Sequence, residues 1–163
     1  MQPLSADDIR ASFVNASKGE ASRIPLPGLH EVIWEEREYL GWRDQQSPLR
    51  GYVVHWIDDR PRGIMLRASE ASLRPGISAM CTWCRITRRS DEISLFSAAR
   101  AGQAGRNGNT VGTYACADLA CSHLIRVLPP ANDMQDPQQL LASRIEGVTA
   151  RLQAFTADIM KTA

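Results

Sequence analysis

The sequence predicts an α+β fold: a small mixed domain of antiparallel hairpins around a four-cysteine site. A helix stands at the N-terminus and a long amphipathic helix at the C-terminus. Three observations lead there. The cysteines fall in two close pairs. Short β-type runs alternate with turn residues through the middle of the chain. Near the C-terminus, Leu141, Ile145, Val148, Leu152, Phe155 and Ile159 recur at helical spacing and form one apolar stripe.

The chain has 163 residues, 44% hydrophobic and 23% charged, which suits one globular domain and excludes wholesale disorder. The reading divides it into an N-terminal α/β part (1–79), a cysteine-bearing part (80–128) and a C-terminal helix (129–163). No apolar run approaches the roughly 20 residues that span a bilayer, so no membrane role is expected. The start lacks the basic-then-apolar pattern of a secretory signal, and a cytoplasmic location is expected.

Ser5-x-x-Asp8 resembles a helix N-terminus, and Ile9 and Phe13 follow at helical spacing, so residues 5–17 read as a helix ending before Gly19. Pro25, Pro27 and Gly28 mark a loop. Leu29–Leu40 carries no decisive period, and its acids Glu31, Glu35, Glu36 and Glu38 allow a short helix. Tyr52–Ile57 reads as a strand, Asp58–Gly63 as a turn, and Gly63–Ala68 as the returning strand. Ser69–Ala79 is a polar crossover. Ile93–Ala98 and Thr110–Ala115 form a hairpin joined by a glycine-spaced basic loop, which lacks the Gly-Lys-Ser/Thr of a phosphate loop. Asp136-Pro137 caps and opens the last helix. Its stripe is read as packing on the domain, with dimerisation as the alternative.

The cysteines are Cys81, Cys84, Cys116 and Cys121, a C-x2-C and a C-x4-C pair. In a reducing compartment such thiols suggest a metal site more than disulfides. Zinc in structural sites takes four ligands in a tetrahedron. Cys116 and Cys121 cannot share one helix face, because five residues is not a whole number of turns. A strand-to-helix junction brings them together, with Cys116 ending the strand, Asp118 as N-cap and Cys121 in the first helical turn. A knuckle, a hairpin and a ligand-bearing helix make the layout of a treble-clef zinc finger. Arg85, Arg88, Arg89 and Arg126 are near in sequence and would offset the thiolate charge. His123 is a further possible ligand or sulfur hydrogen-bond donor. A redox Cys81-Thr-Trp-Cys84 would need a βαβ setting, whereas the following residues read as a hairpin strand.

His30, His55 and His123 belong to no catalytic motif, and four thiolates would leave no position for an activated water. No nucleophile–base pair stands out, so a non-enzymatic protein is expected, without a small-molecule substrate. Net charge is +1, but residues 80–126 carry 6 basic and 3 acidic side chains. That segment keeps open an RNA- or ribosome-binding zinc module.

The segments Met80-Cys-Thr-Trp-Cys84, Leu95-Phe96, Ala99-Arg-Ala-Gly102 and Asn109-Thr-Val-Gly-Thr-Tyr-Ala-Cys-Ala-Asp-Leu-Ala-Cys-Ser122 carry a family resemblance. So do Ile9-Arg-Ala-Ser-Phe-Val-Asn15, Ser17-Lys-Gly-Glu20, Leu40-Gly-Trp-Arg-Asp44 and Leu66-Arg67. Together they resemble the C-terminal treble-clef zinc-finger domain of elongation factor G-binding proteins, in particular its short actinobacterial members. The group includes the FusB-type fusidic acid resistance proteins. The resemblance implies zinc held by Cys81, Cys84, Cys116 and Cys121, and elongation factor G as partner. The resistance proteins carry a helical bundle ahead of the zinc domain and release the factor from drug-stalled ribosomes; this chain has no room for a full separate bundle. Aromatic and arginine anchors dominate protein interfaces. Phe96, Arg100, Arg106 and Tyr114, on the zinc-side hairpin and its loop, are therefore the candidate partner contacts.

Overall fold

A computed structural model describes residues 1–71, 73–128 and 136–161. The expected boundary at residue 129 lies outside them. Helix α1 covers Ala6–Ala11 and α2 covers Lys18–Ser22. The single helix expected over 5–17 is thus two short ones. Each starts at its own capping box: Ser5 Oγ accepts from Asp8 N, and Ser17 Oγ accepts from Glu20 N. Between them Phe13 leaves the helix to bridge Gly63, and the Asn15 side chain pairs with the backbone of Met65. Tertiary hydrogen bonds here override the local helical period.

Among the described residues, seven strands follow. They are β1 (Tyr39–Arg43), β2 (Arg50–Ile57), β3 (Arg60–Ala68), β4 (Ser78–Met80), β5 (Thr87–Arg89), β6 (Ile93–Ala99) and β7 (Thr110–Cys116). An antiparallel sheet runs β1-β2-β3-β6-β7, and β4 and β5 form a small ribbon of their own. The ambiguous stretch 29–40 holds two 3-10 turns, Leu29–Glu31 and Trp34–Glu36, and then the start of β1. The turn expected over Asp58–Gly63 is tighter. Asp58 and Asp59 both take positive φ, 47° and 57°, and β3 starts at Arg60. Two consecutive left-handed residues give the reversal that matches sheet twist. The loop between β6 and β7 contains a helical turn, α3 (Gly102–Arg106).

At β2 the sheet is buried on both faces, which explains the nearly continuous apolar run of that strand. Tyr52 and Val54 pack with Leu40, Trp42, Ile9 and Ile24 under the N-terminal segment. Val53 faces the other way, into the larger core of Tyr39, Ile64, Leu66, Phe96 and the cysteines. Helix α4 (Cys121–Leu124) and helix α5 (Pro137–Met160) close that second face. Asp136 Oδ1 accepts from Gln138 N at 2.9 Å, the cap expected for α5. Val148, Leu152 and Ile159 of the stripe are fully buried, and Ile145 and Phe155 pack against the same core. From Ile145 to Ile159 the stripe is therefore spent on the domain itself.

His55 lies under α5, 2% exposed, with Nε2 2.7 Å from Thr156 Oγ1. The Thr156 hydroxyl donates to Leu152 O, so it accepts from His55, whose Nε2 must carry the proton. Burial lowers the imidazole pKa to about 4. Below pH 6.5 the unfolded chain binds a proton that the folded chain refuses, so stability falls as pH drops from 6.5 towards 4. The loss should reach ~3 kcal/mol. His55→Gln should flatten this part of the stability–pH curve in urea melts; an unchanged slope would overturn the assignment.

Two glycines set how closely the cysteine-bearing loop approaches the sheet. A Cβ on Gly41 would stand 2.5 Å from Leu119 O, and one on Gly51 would stand 2.8 Å from Leu119 Cδ1. Backbone cannot yield to the first clash. Gly41→Ala should cost about 1–3 kcal/mol in denaturant melts, and a neutral result would show that the loop can lift off.

Candidate metal centre

The site is built by two local turns facing each other. The first is Cys81–Cys84, between β4 and β5. Cys84 N donates to Cys81 Sγ at 3.4 Å, and Arg85 N donates to Cys81 O at 3.0 Å. Arg85 takes φ 61°, which lets the chain reverse after the second cysteine. The second half starts at Cys116, the last residue of β7, and resumes at Cys121, the first residue of α4. The strand-to-helix junction read from the spacing is therefore present. Asp118 acts one step earlier than the expected helix cap. Its Oδ1 accepts from Ala120 N at 3.0 Å and closes the turn, while Ala120 occupies the N-cap position. Leu119, at φ 58°, points into the core between them.

All four sulfurs lie within 4.8 Å of one another and all four cysteines are buried. Cys81 and Cys121 sulfurs are 3.6 Å apart, and those of Cys84 and Cys116 are 3.8 Å apart. These separations are too long for disulfides. They match the edge of a tetrahedron with Zn–S near ~2.3 Å, which is about 3.8 Å. Without a cation the four thiols could not all ionise. Hydrogen bonds from Cys116, Cys121 and Cys84 pull the Cys81 thiol down. The Cys121 thiol is pushed up by its sulfur neighbours, Cys116 first, and by burial. A divalent cation removes that conflict. Four sulfurs fill its shell, so the donor set suits a structural ion rather than a water-activating one.

The surroundings hold these sulfurs firmly. Cys121 N donates to Tyr39 Oη at 3.1 Å, and Tyr39 is fully buried with its ring edge-on to Trp83. Burial, followed by the Cys121 charge, keeps the Tyr39 phenol well above its ordinary pKa, hence protonated. Ser122 Oγ accepts from Glu38 N at 3.1 Å. Arg126 pairs both guanidinium nitrogens with Glu38, at 2.9 and 2.8 Å, and also reaches Ser122 O. Arg43 donates to Ala117 O at 2.8 Å and lies over the Phe96 ring. Thr82 N donates to Tyr114 O at 2.8 Å, joining the first turn to β7. Arg151 Nε donates to Trp83 O at 2.6 Å, tying α5 to the same turn.

Of the four arginines expected to offset thiolate charge, Arg88 alone is placed for it. It lies near enough to Cys116 for that sulfur, together with Glu92 and Asp118, to raise its pKa against burial, and it is held by Glu92 at 2.5 Å and Asp118 at 3.5 Å. Arg89 pairs with Asp91, Arg126 with Glu38, and Arg85 is exposed. Sequence proximity could not distinguish these, because for Arg88 and Arg89 the choice depends on which side of the β4–β5 ribbon each guanidinium leaves, and for Arg126, after α4, on its meeting Glu38 from a distant segment. His123 is exposed, and its Nδ1 accepts from Arg37 at 3.3 Å, which gives it a partner other than sulfur. Tyr39, Glu38 and Arg43 were not singled out from the sequence. The aromatic–glycine alternation Tyr39-Leu-Gly-Trp42 was the available signal.

The candidate partner contacts separate in the same way. Phe96 is completely buried in the core beneath Arg43, so it cannot serve as a surface anchor. Arg100 is turned onto α5, where it donates to Asp158 O and lies 3.4 Å from the Asp158 carboxylate. Arg106 is exposed and bonded to Gln103 on its own helical turn. Tyr114 is 43% exposed on β7, directly across from Leu95 at 38%. Leu95 is the surface residue that the sequence reading missed. Strand alternation would have found it, since Phe96 and Leu95 must face opposite sides.

Structural zinc contributes on the order of 10 kcal/mol, as much as the whole net stability of a domain. Native mass spectrometry should show one zinc per chain. Chelation should abolish the cooperative thermal transition. Tyr39→Phe, which removes the acceptor for Cys121 N–H, should cost about 1–3 kcal/mol with zinc still bound. Unchanged melting after chelation would overturn a structural metal.

Residues 8–159 match the family described as FBP C-terminal treble-clef zinc-finger. Among solved structures, the fold is similar to that of the fusidic acid resistance protein FusC. The TM-score is 0.57 at 20% identity, over 90% of this chain and 59% of that one. No curated protein matches. The family match and the four-sulfur cluster make zinc the cofactor, and with 152 of its residues inside the match (8–159) the chain belongs to the FBP C-terminal treble-clef zinc-finger family.

Proposed function

We propose that Cys81, Cys84, Cys116 and Cys121 hold one structural zinc, and that the domain they brace is a non-enzymatic, cytoplasmic module that binds elongation factor G. The observation that carries the binding half is the solvent-facing pair Leu95 and Tyr114 on β6 and β7. They sit side by side on two strands whose other side is pinned to the cysteine turns. A rigid aromatic next to an aliphatic neighbour is the kind of anchor that dominates protein interfaces. Zinc here acts through stiffness: it fixes the end of β7, and so the platform from which Tyr114 projects. Arg106, exposed near the tip of the same hairpin, is a second contact of the rim type.

Membership of the family supports elongation factor G as the partner, because the family resemblance is to proteins that bind it. FusC is a fusidic acid resistance protein, and this chain spans 59% of its length. Action on drug-stalled ribosomes is a further step of the same proposal. An RNA-binding role has less support from the charges. Arg88, Arg89, Arg100 and Arg126 all pair with acids of this chain, which leaves less free positive charge to meet phosphates. No helix among the described residues is long and apolar enough to cross a membrane.

The test is calorimetric titration of the zinc-loaded protein with elongation factor G. Saturable one-to-one binding is expected, weakened at least tenfold, or about 1.4 kcal/mol, by Tyr114→Ala. Arg106→Ala should change it less and mainly through its salt dependence. Absence of binding at tens of micromolar would sink the proposal, and a steep salt dependence that Tyr114→Ala leaves untouched would favour RNA.

A further inference from the structure

The N-terminal segment covers the sheet over β1, β2 and part of β3 and then stops. Beyond it β3 and β6 pair only at Arg67–Ser97 and Ala68–Phe96 before they diverge. The Asn15 side chain bridges the gap, donating to Met65 O at 2.9 Å and Ala99 O at 3.0 Å and accepting from Met65 N. A cleft of about 490 Å³ opens there. Its walls include Leu49, Met65, Ser97 and Thr110, with Asn15 fixed at one side. That volume lies within the usual range of small-molecule sites.

Two cations stand on this cleft. Arg50 and Arg67 are directly opposite in the β2–β3 register, so their side chains leave the sheet on the same face, and both are exposed. Like charges in directly opposed positions destabilise a strand pair. The acids near them are weak compensation or already engaged: Asp44, joined to Arg50 through its backbone N–H, spends its carboxylate on Gln46 N, Ser47 N and the Tyr52 hydroxyl. Glu70 is 3.8 Å from Arg67 with both side chains mostly in solvent, and Glu20 feels Arg50 only through space. An apolar cleft with a repelling arginine pair on its rim suits a ligand that brings an oxyanion to the rim and an apolar body to the walls.

We infer that this cleft is a binding site for a small amphipathic oxyanion, a carboxylate or phosphate on an apolar body. The guanidiniums of Arg50 and Arg67 would share the oxyanion, and Leu49 and Met65 would cover the body. The site uses neither the cysteine sulfurs nor the Leu95–Tyr114 pair, so in the zinc-loaded protein it stands or falls apart from elongation factor G binding.

Amide-detected NMR titrations of the zinc-loaded protein test it. The probes are 2-naphthoate, 2-naphthyl phosphate and the neutral isostere 2-naphthamide. At least one of the two anions should give saturable shifts confined to Asn15, Leu49, Arg50, Met65, Arg67 and Ser97, at least tenfold tighter than the amide. Arg50→Gln/Arg67→Gln should bring the anions down to the amide's level. Thr110→Trp, which fills the cleft from β7, should abolish binding of all three probes with both arginines intact. Equal affinity for the amide, anion binding that survives both variants, shifts scattered beyond the cleft, or no saturation by the anions would each overturn the inference.

Discussion

The contact on which most of this architecture depends is the seating of the Cys116–Cys121 loop on the sheet. Leu119 lies against Gly41 and Gly51, and the Cys121 amide is held by the Tyr39 hydroxyl. Those two strands thus provide a floor for half of the ligand set. The other half, Cys81–Cys84, is joined to β7 through Thr82 and to α5 through Trp83 and Arg151. A tetrahedral ion needs four sulfurs at one spacing, and β1, β2, β7, α4 and α5 each touch or supply one of the two turns that provide them. Metal binding and packing of that core are therefore one cooperative event rather than two.

Both faces of the sheet are used, and unequally. One is closed by α4, α5 and the cysteine turns, and it buries His55 neutral against Thr156. The other is closed over β1 and β2 by the N-terminal segment and left open over β6 and β7. The open part carries the Leu95–Tyr114 pair towards one end and the arginine-rimmed cleft towards the other. Surface chemistry is thereby separated from the metal. On the reading proposed above, an ion held by the cysteines would brace these strands from behind, and their solvent-facing residues would be free for a partner.

Much of the site was legible in the chain. The spacing of Cys116 and Cys121 required a strand-to-helix junction, because no regular helix brings residues five apart to one point. The α5 stripe and its Asp136-Pro137 start were equally plain, since both depend on a period and a cap within the element itself. Strand β1 was hidden among acids that suit a helix, and it forms because Leu40 and Trp42 bury on one side while Tyr39 buries on the other. The helix over 5–17 broke for a similar reason: Phe13 and Asn15 gain more from β3 than from another helical turn.

By itself, then, the sequence determined what short-range chemistry can settle: which thiols come in pairs, where helices are capped, and where strands reverse. Only the tertiary structure decided which neighbours those residues meet. It sent Phe96 into the core and Tyr114 to the surface, although adjoining strands carry both. It brought Arg88, with its acid partners Glu92 and Asp118, beside Cys116, while pairing Arg89 and Arg126 with acids that offer the sulfurs nothing. The physical reason is that exposure, ion pairing and pKa depend on contacts made across the sheet. Arg126 and Glu38, or His55 and Thr156, come together only when distant segments of the chain are packed.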